Sequence, residues 1–113
     1  MPERNLERDS APAAVVRLAG RLGRNLRVAR QRRAMTQEEV AGRAGISRAT
    51  LVRIEQGALG TGLGAYLSVL WVLGLHEQMA PVAAPERDDE GRTLEAARRG
   101  ERVRPGKALS DEF

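Results

Sequence analysis

Between Thr36 and Gly57 the chain reads TQEEVAGRAGISRATLVRIEQG, a stretch whose start and stop signals leave room for little but two short helices. Thr36-Gln37-Glu38-Glu39 has the form of a capping box, in which the threonine hydroxyl accepts from the third amide and the glutamate reaches back. Gly45 supplies a left-handed residue that ends a helix at little steric cost. Ser47 caps the next helix, and Gly57 stops it. Val40, Ala41 and Ala44 form the inner side of the first helix, Ile46 plugs the corner, and Leu51 and Ile54 face inward from the second. Arg48, Ala49, Val52 and Arg53 are left outside. The spacing predicts two amphipathic helices joined by a tight turn, the second showing arginines to solvent.

The flanking sequence is also helical in pattern. With three aromatics in 113 residues (Tyr66, Trp71 and Phe113), the core must come from Leu, Val, Ile and Ala, which suits helices better than sheets. Residues 1–14 are expected to form a mobile tail and residues 15–75 the helix-turn-helix domain. A first helix over residues 13–34, capped by Ser10, places Leu18, Leu22, Leu26 and Ala29 in one apolar stripe and Arg17, Arg21 and Arg24 on another face. Gly20 and Gly23 weaken its early part, so the stable portion is expected from about Leu22 onward.

After a Gly-rich loop at residues 58–62, GLGAYLSVLWVLGL is apolar nearly all round and must be buried on more than one side. One small domain does not supply two walls. A second chain is therefore expected, with Tyr66, Val69, Leu70, Trp71 and Leu73 at a dimer or partner interface. Residues 76–101 read as a helical extension: a short helix or turn near Leu75, Met79 and Val82, then a solvated helix over 86–99. Pro85 stands at the start of that helix, with acids at the positive end of its dipole. Residues 102–113 are Pro/Gly-punctuated and expected to be mobile or ordered by a partner, with Phe113 either a frayed end or an anchor that inserts into a partner pocket.

Several chemistries lack their residues. There is no Cys, which removes disulfides and thiolate metal sites. His76 is the one histidine and has no partner at catalytic or metal-ligand spacing. Asp88, Asp89 and Glu90 fit a helix start better than a carboxylate site. Gly57, Gly60, Gly62 and Gly64 follow no strand and precede no Lys-Ser/Thr, so they are not a phosphate cradle. No catalytic residue, metal site or cofactor is expected, and the chain is read as non-enzymatic. The apolar run 63–75 is shorter than the about 20 residues that span a bilayer. With no secretory signal in residues 1–14, the expectation is a cytoplasmic protein away from membranes.

The net charge is +4, unevenly placed. Residues 1–35 hold nine Arg against three acids, whereas residues 36–57 hold three of each, so the positive field sits beside the two-helix segment. All bases but Lys107 are Arg, the better bidentate partner for phosphate and guanine. The major groove of B-DNA admits one α-helix and displays a distinct donor/acceptor pattern for each base pair. A reading helix must be anchored on one side and carry long donors on the other. Ile46, Leu51 and Ile54 supply the anchors, Ser47 the start, and Arg48 and Arg53 the donors. Gln37, in the first turn of the preceding helix, is placed to donate to a phosphate beside free backbone amides.

On the pattern Thr36-Gln37, Ala41, Gly45, Ser47, Leu51, Ile54-Glu55, Gly57, residues 22–75 resemble the Cro/phage-repressor type of helix-turn-helix, the xenobiotic-response-element family. The resemblance implies an all-α, lambda-repressor-like fold of about five helices with a C-terminal extension. It also implies a homodimer bound to an inverted repeat in double-stranded operator DNA. Carried over by position, Gln37 is the backbone-clamping glutamine. Arg48, Ala49 and Arg53 are base-reading positions, with Ser47 and Thr50 beside them. Gln56 and Gly57 form a phosphate-contacting corner, and Arg30 and Glu55 a structural ion pair. Val52 departs from the family, which often has a polar residue there.

A narrower resemblance covers SRATLVRIEQG, LGAYLSVLWVLGL, the acidic–basic helix and the tail ending in DEF, a run similar to HipB-like antitoxins. It implies a transcriptional repressor from a type II toxin-antitoxin operon that autoregulates its own transcription and neutralises a HipA-like serine/threonine kinase toxin. The alternative is a stand-alone regulator of the same family with no toxin partner.

Overall fold

The structure, a computed structural model, describes residues 10–102. The expected tails lie largely outside the described residues, including Phe113. The described residues form five α-helices and no strand, an all-α fold. They divide into two units, the first ending at Glu77 and the second beginning at Gln78. No helix among them is long and apolar enough to cross a membrane.

In the first unit, α1 (Ala13–Arg32) packs on α3 (Arg48–Glu55), and α2 (Gln37–Ala44) packs on both α3 and α4 (Leu63–Val72). The core is Leu26, Val40, Ala41, Leu51, Ile54, Val69, Leu70 and Leu73. A 3-10 turn, His76–Met79, follows α4.

Two expectations for α1 are corrected. Pro12, not Ser10, is its N-cap, and the Pro12 carbonyl accepts from the Val15 and Val16 amides. The helix is continuous from Ala13, although its glycines were expected to delay its start. Both glycines meet the end of α3. A Cβ on Gly23 would lie 2.6 Å from the Ile54 carbonyl oxygen and 2.7 Å from that of Glu55. A Cβ on Gly57 would lie 2.8 Å from the Gly20 Cα. This close approach turns Gly23, Leu26 and Arg30 into the buried face of α1. Leu18, expected in the apolar stripe, is consequently 67% exposed.

The turn between α2 and α3 forms through local chemistry. Both halves of the capping box are present: Glu39 N–H donates to Thr36 Oγ1 at 3.0 Å, and Thr36 N–H to Glu39 Oε1 at 2.8 Å. Gly45 ends α2 at φ 75°, where a side chain would be strained. The Ile46 amide bonds back to the Ala41 carbonyl at 3.0 Å, and Ser47 Oγ then accepts from Thr50 N–H at 3.0 Å to open α3.

In the second unit Pro85 begins a 3-10 turn, Pro85–Arg87, rather than the long helix. The helix α5 (Asp89–Arg102) starts after Asp88, whose carboxylate accepts from Gly91 N–H at 3.0 Å. An aspartate able to satisfy a first-turn donor displaces the start from the proline.

Candidate nucleic-acid interface

The helix α3 has two unlike sides. Leu51 and Ile54 are fully buried and Glu55 nearly so, which fixes the helix against α1 and α2. Arg48, Ala49 and Arg53 are exposed on the other side, with Thr50 and Val52 half-buried between. Ser47 Oγ donates to Thr50 Oγ1 at 2.9 Å, and Arg53 Nη2 donates to the same oxygen at 3.2 Å. The Thr50 hydroxyl thus ties the cap of α3 to one of its exposed guanidinium groups. Gln56 is exposed, whereas Gly57 is buried under α1.

Behind this surface lies a polar network that crosses three helices. Arg30 Nε and Nη2 donate to the two Glu55 carboxylate oxygens at 2.7 and 3.1 Å, a bidentate buried pair. Arg30 Nη1 also donates to the Met35 carbonyl at 3.0 Å, securing the chain where α1 gives way to α2. Gln37 Nε2 donates to Glu55 Oε1 at 3.1 Å. An ionised carboxylate only accepts, so the Gln37 amide nitrogen gives one of its two N–H groups to Glu55 and keeps the other, while its oxygen is turned to Arg48. That oxygen accepts from Arg48 Nη2 at 3.3 Å. Glu55 therefore orients Gln37, and Gln37 in turn meets an exposed arginine of α3.

The start of α2 faces an open groove lined by Arg27, Arg30, Met35, Thr36, Gln37, Glu38 and Arg48. The first intrahelical bond here runs from Val40 to Thr36, and the capping box engages Glu39. The Gln37 and Glu38 amides are left with no acceptor among the described residues. Unpaired N–H groups at a helix start, next to guanidinium groups, favour an anionic oxygen.

The residues expected at a dimer or partner interface do not share one surface. Val69, Leu70 and Leu73 belong to the core of their own chain, because α2 supplies the wall that a second chain was expected to provide. Tyr66 is half-buried, and its hydroxyl donates to the Ala58 carbonyl at 2.6 Å, closing the glycine-rich loop from within. Burial raises its pKa above the ordinary 10.0, against a smaller downward pull from Thr61. Trp71 alone of the five is exposed, at 61%, and Leu63 on the same helix is 64% exposed.

Sequence reading missed Arg27 and Met35 at the groove. Their signal was position: Arg27 lies one turn before Arg30, and Met35 lies immediately before the capping box. A family model described as a helix-turn-helix domain matches residues 21–81, more than half of the chain. No curated protein matches it.

Proposed function

The chain belongs to the helix-turn-helix domain family and is a DNA-binding regulator; from that premise we propose that it represses transcription as a homodimer on an inverted repeat. One observation carries the reading: α3 is anchored by fully buried Leu51 and Ile54 while Arg48, Ala49 and Arg53 stand free of the core. In this reading α3 enters the major groove. Arg48 and Arg53 donate to guanine edges, and Ala49 makes apolar contact beside them. Ser47, Thr50 and Gln56 meet the backbone or base edges at the two ends of α3. Gln37 clamps a phosphate in front of α2.

A single module buries only about 600–1,000 Å² on DNA. A second copy is therefore part of the proposal, and exposed Leu63 and Trp71 are the apolar surface offered to it. Two-fold symmetry sets half-site centres about 10 bp apart, or a multiple of that.

Selection from random duplexes with the purified protein tests this reading. The expected outcome is a palindromic site, with Arg53→Ala losing about 1–3 kcal/mol of base discrimination while weak, salt-sensitive binding persists. Recovery of no preferred sequence, or unchanged preference in Arg53→Ala, overturns it.

A second reading adds a HipA-like kinase toxin as partner, making the protein an antitoxin as well as a repressor. The apolar surface at Leu63 and Trp71 favours it, being available to a foreign chain as well as to a second copy. Co-expression with the product of the adjacent gene decides between them. Co-elution with a kinase-like chain supports the antitoxin, and elution alone leaves a stand-alone regulator.

A further inference from the structure

The groove between α1 and the start of α2 contains one cation that no interaction among the described residues accounts for. Arg30 is matched by Glu55 and by the Met35 carbonyl, and Arg48 reaches Gln37. Arg27 lines the same groove, is exposed, and has no hydrogen bond or ion pair among the described residues. In the same groove the Gln37 and Glu38 amides have no acceptor among the described residues. Gln37 Nε2 has given one of its two N–H groups to Glu55, leaving the other free. Arg27 and Arg48 outweigh the one carboxylate on the rim without a cationic partner, that of Glu38. We infer that Arg27 is a DNA-backbone ligand, seating one phosphate in this groove together with Gln37 and the first amides of α2.

The inference rests on the DNA-binding reading and extends it to a residue of α1. A guanidinium on the wall of a groove rich in N–H donors matches the fork of two phosphate oxygens. Such a contact carries no sequence information. Its signature is salt dependence, since each neutralised phosphate contributes a slope of about −0.9 in log K against log salt. Arg17, also on α1 and exposed, is the internal control. It stands ten residues away, about 15 Å along the helix, beyond the Debye length of about 10 Å at 0.1 M salt.

The experiment titrates the full chain against two duplexes over a range of KCl: the site recovered by selection, and a mixed-sequence duplex of equal length. For Arg27→Gln the slope should become shallower by about 0.9 per protomer on both duplexes, with unchanged base preference and circular dichroism. That corresponds to a roughly threefold smaller loss of affinity per protomer between about 50 and 200 mM salt. Arg27→Lys, which keeps the charge, should retain most of the slope, and Arg17→Gln should keep all of it. A wild-type slope in Arg27→Gln, or equal flattening in Arg17→Gln, overturns the assignment of Arg27. Absence of wild-type binding to either duplex at low salt overturns the DNA-binding reading itself, and the inference with it.

Discussion

Arg30 and Arg99 each pair with a glutamate, but the pairs are physically unlike. Arg30 and Glu55 are 25 residues apart and join α1 to the end of α3, with side chains 11% and 4% exposed. Arg99 and Glu95 sit four residues apart on α5, both about half exposed. The same contrast runs through the two units. The first unit is held by contacts distant in sequence: the Gly23 crossing, the Arg30–Glu55–Gln37–Arg48 network and the Leu51/Ile54 core. Among the described residues of the second unit the side-chain bonds are local, such as those from Arg92 to Asp89 and the Glu86 carbonyl, from Gly91 to Asp88, and from Arg99 to Glu95. An exposed reading helix acts as a rigid part only if something distant in sequence holds it. Salt bridges of equal formal charge therefore do different jobs in the two units.

The largest expected break in this contrast comes from Glu55→Ala. It leaves the Arg30 guanidinium buried without its counter-ion and releases Gln37. Removing one partner of a buried pair costs about 3–5 kcal/mol, a large share of the stability of a small domain, about 5–15 kcal/mol. Urea denaturation should report that loss. A change of less than about 1 kcal/mol would mean that water reaches Arg30 and that the pair behaves like a surface one.

Next in size is Gly23→Ala. The new methyl meets backbone carbonyls at 2.6 and 2.7 Å, which cannot swing aside as a side chain could. Overpacking of this kind costs about 1–3 kcal/mol, outweighing the gain of up to about 1 kcal/mol in helix propensity. A net stabilisation in thermal unfolding would show that α1 and α3 can separate without penalty.

The uneven legibility of the sequence has the same origin. The capping box, Gly45, Ser47 and Gly57 act through bonds to residues at most five positions away, so their residue types announce the turn. The close crossing does not announce itself. Gly23 lies about thirty residues from the carbonyls that require it, and within its own helix it reads only as a weak position. Leu18 was misplaced for that reason, since the buried face of α1 is decided by α3. In α4, an apolar sequence on all sides states that walls are needed but not which chain supplies them. Val69, Leu70 and Leu73 went to α2, and Trp71 went to the surface. The positions proposed for DNA contact were legible because they follow from the turn itself. The Gln37 bonds to Glu55 and Arg48, and the place of Arg27 in the groove, needed three helices brought together.

The second unit supplies the small-effect side of the contrast. Gly100 in α5 has nothing within 4 Å of where a Cβ would stand, so Gly100→Ala meets no obstacle of the kind found at Gly23. It should raise the helix population of α5 by about 0.8–1.0 kcal/mol, read as slower amide hydrogen exchange over α5 in the intact chain. The smallest effect expected is the coupling between Glu95 and Arg99. A double-mutant cycle of Glu95→Ala and Arg99→Ala should give about 0.2–0.5 kcal/mol, lessening as salt is added, because both side chains are half in water. A salt-insensitive coupling well above 1 kcal/mol would mean that this pair is shielded in the intact protein. The distinction between a locally held α5 and a core-held α3 would then fail from the α5 side.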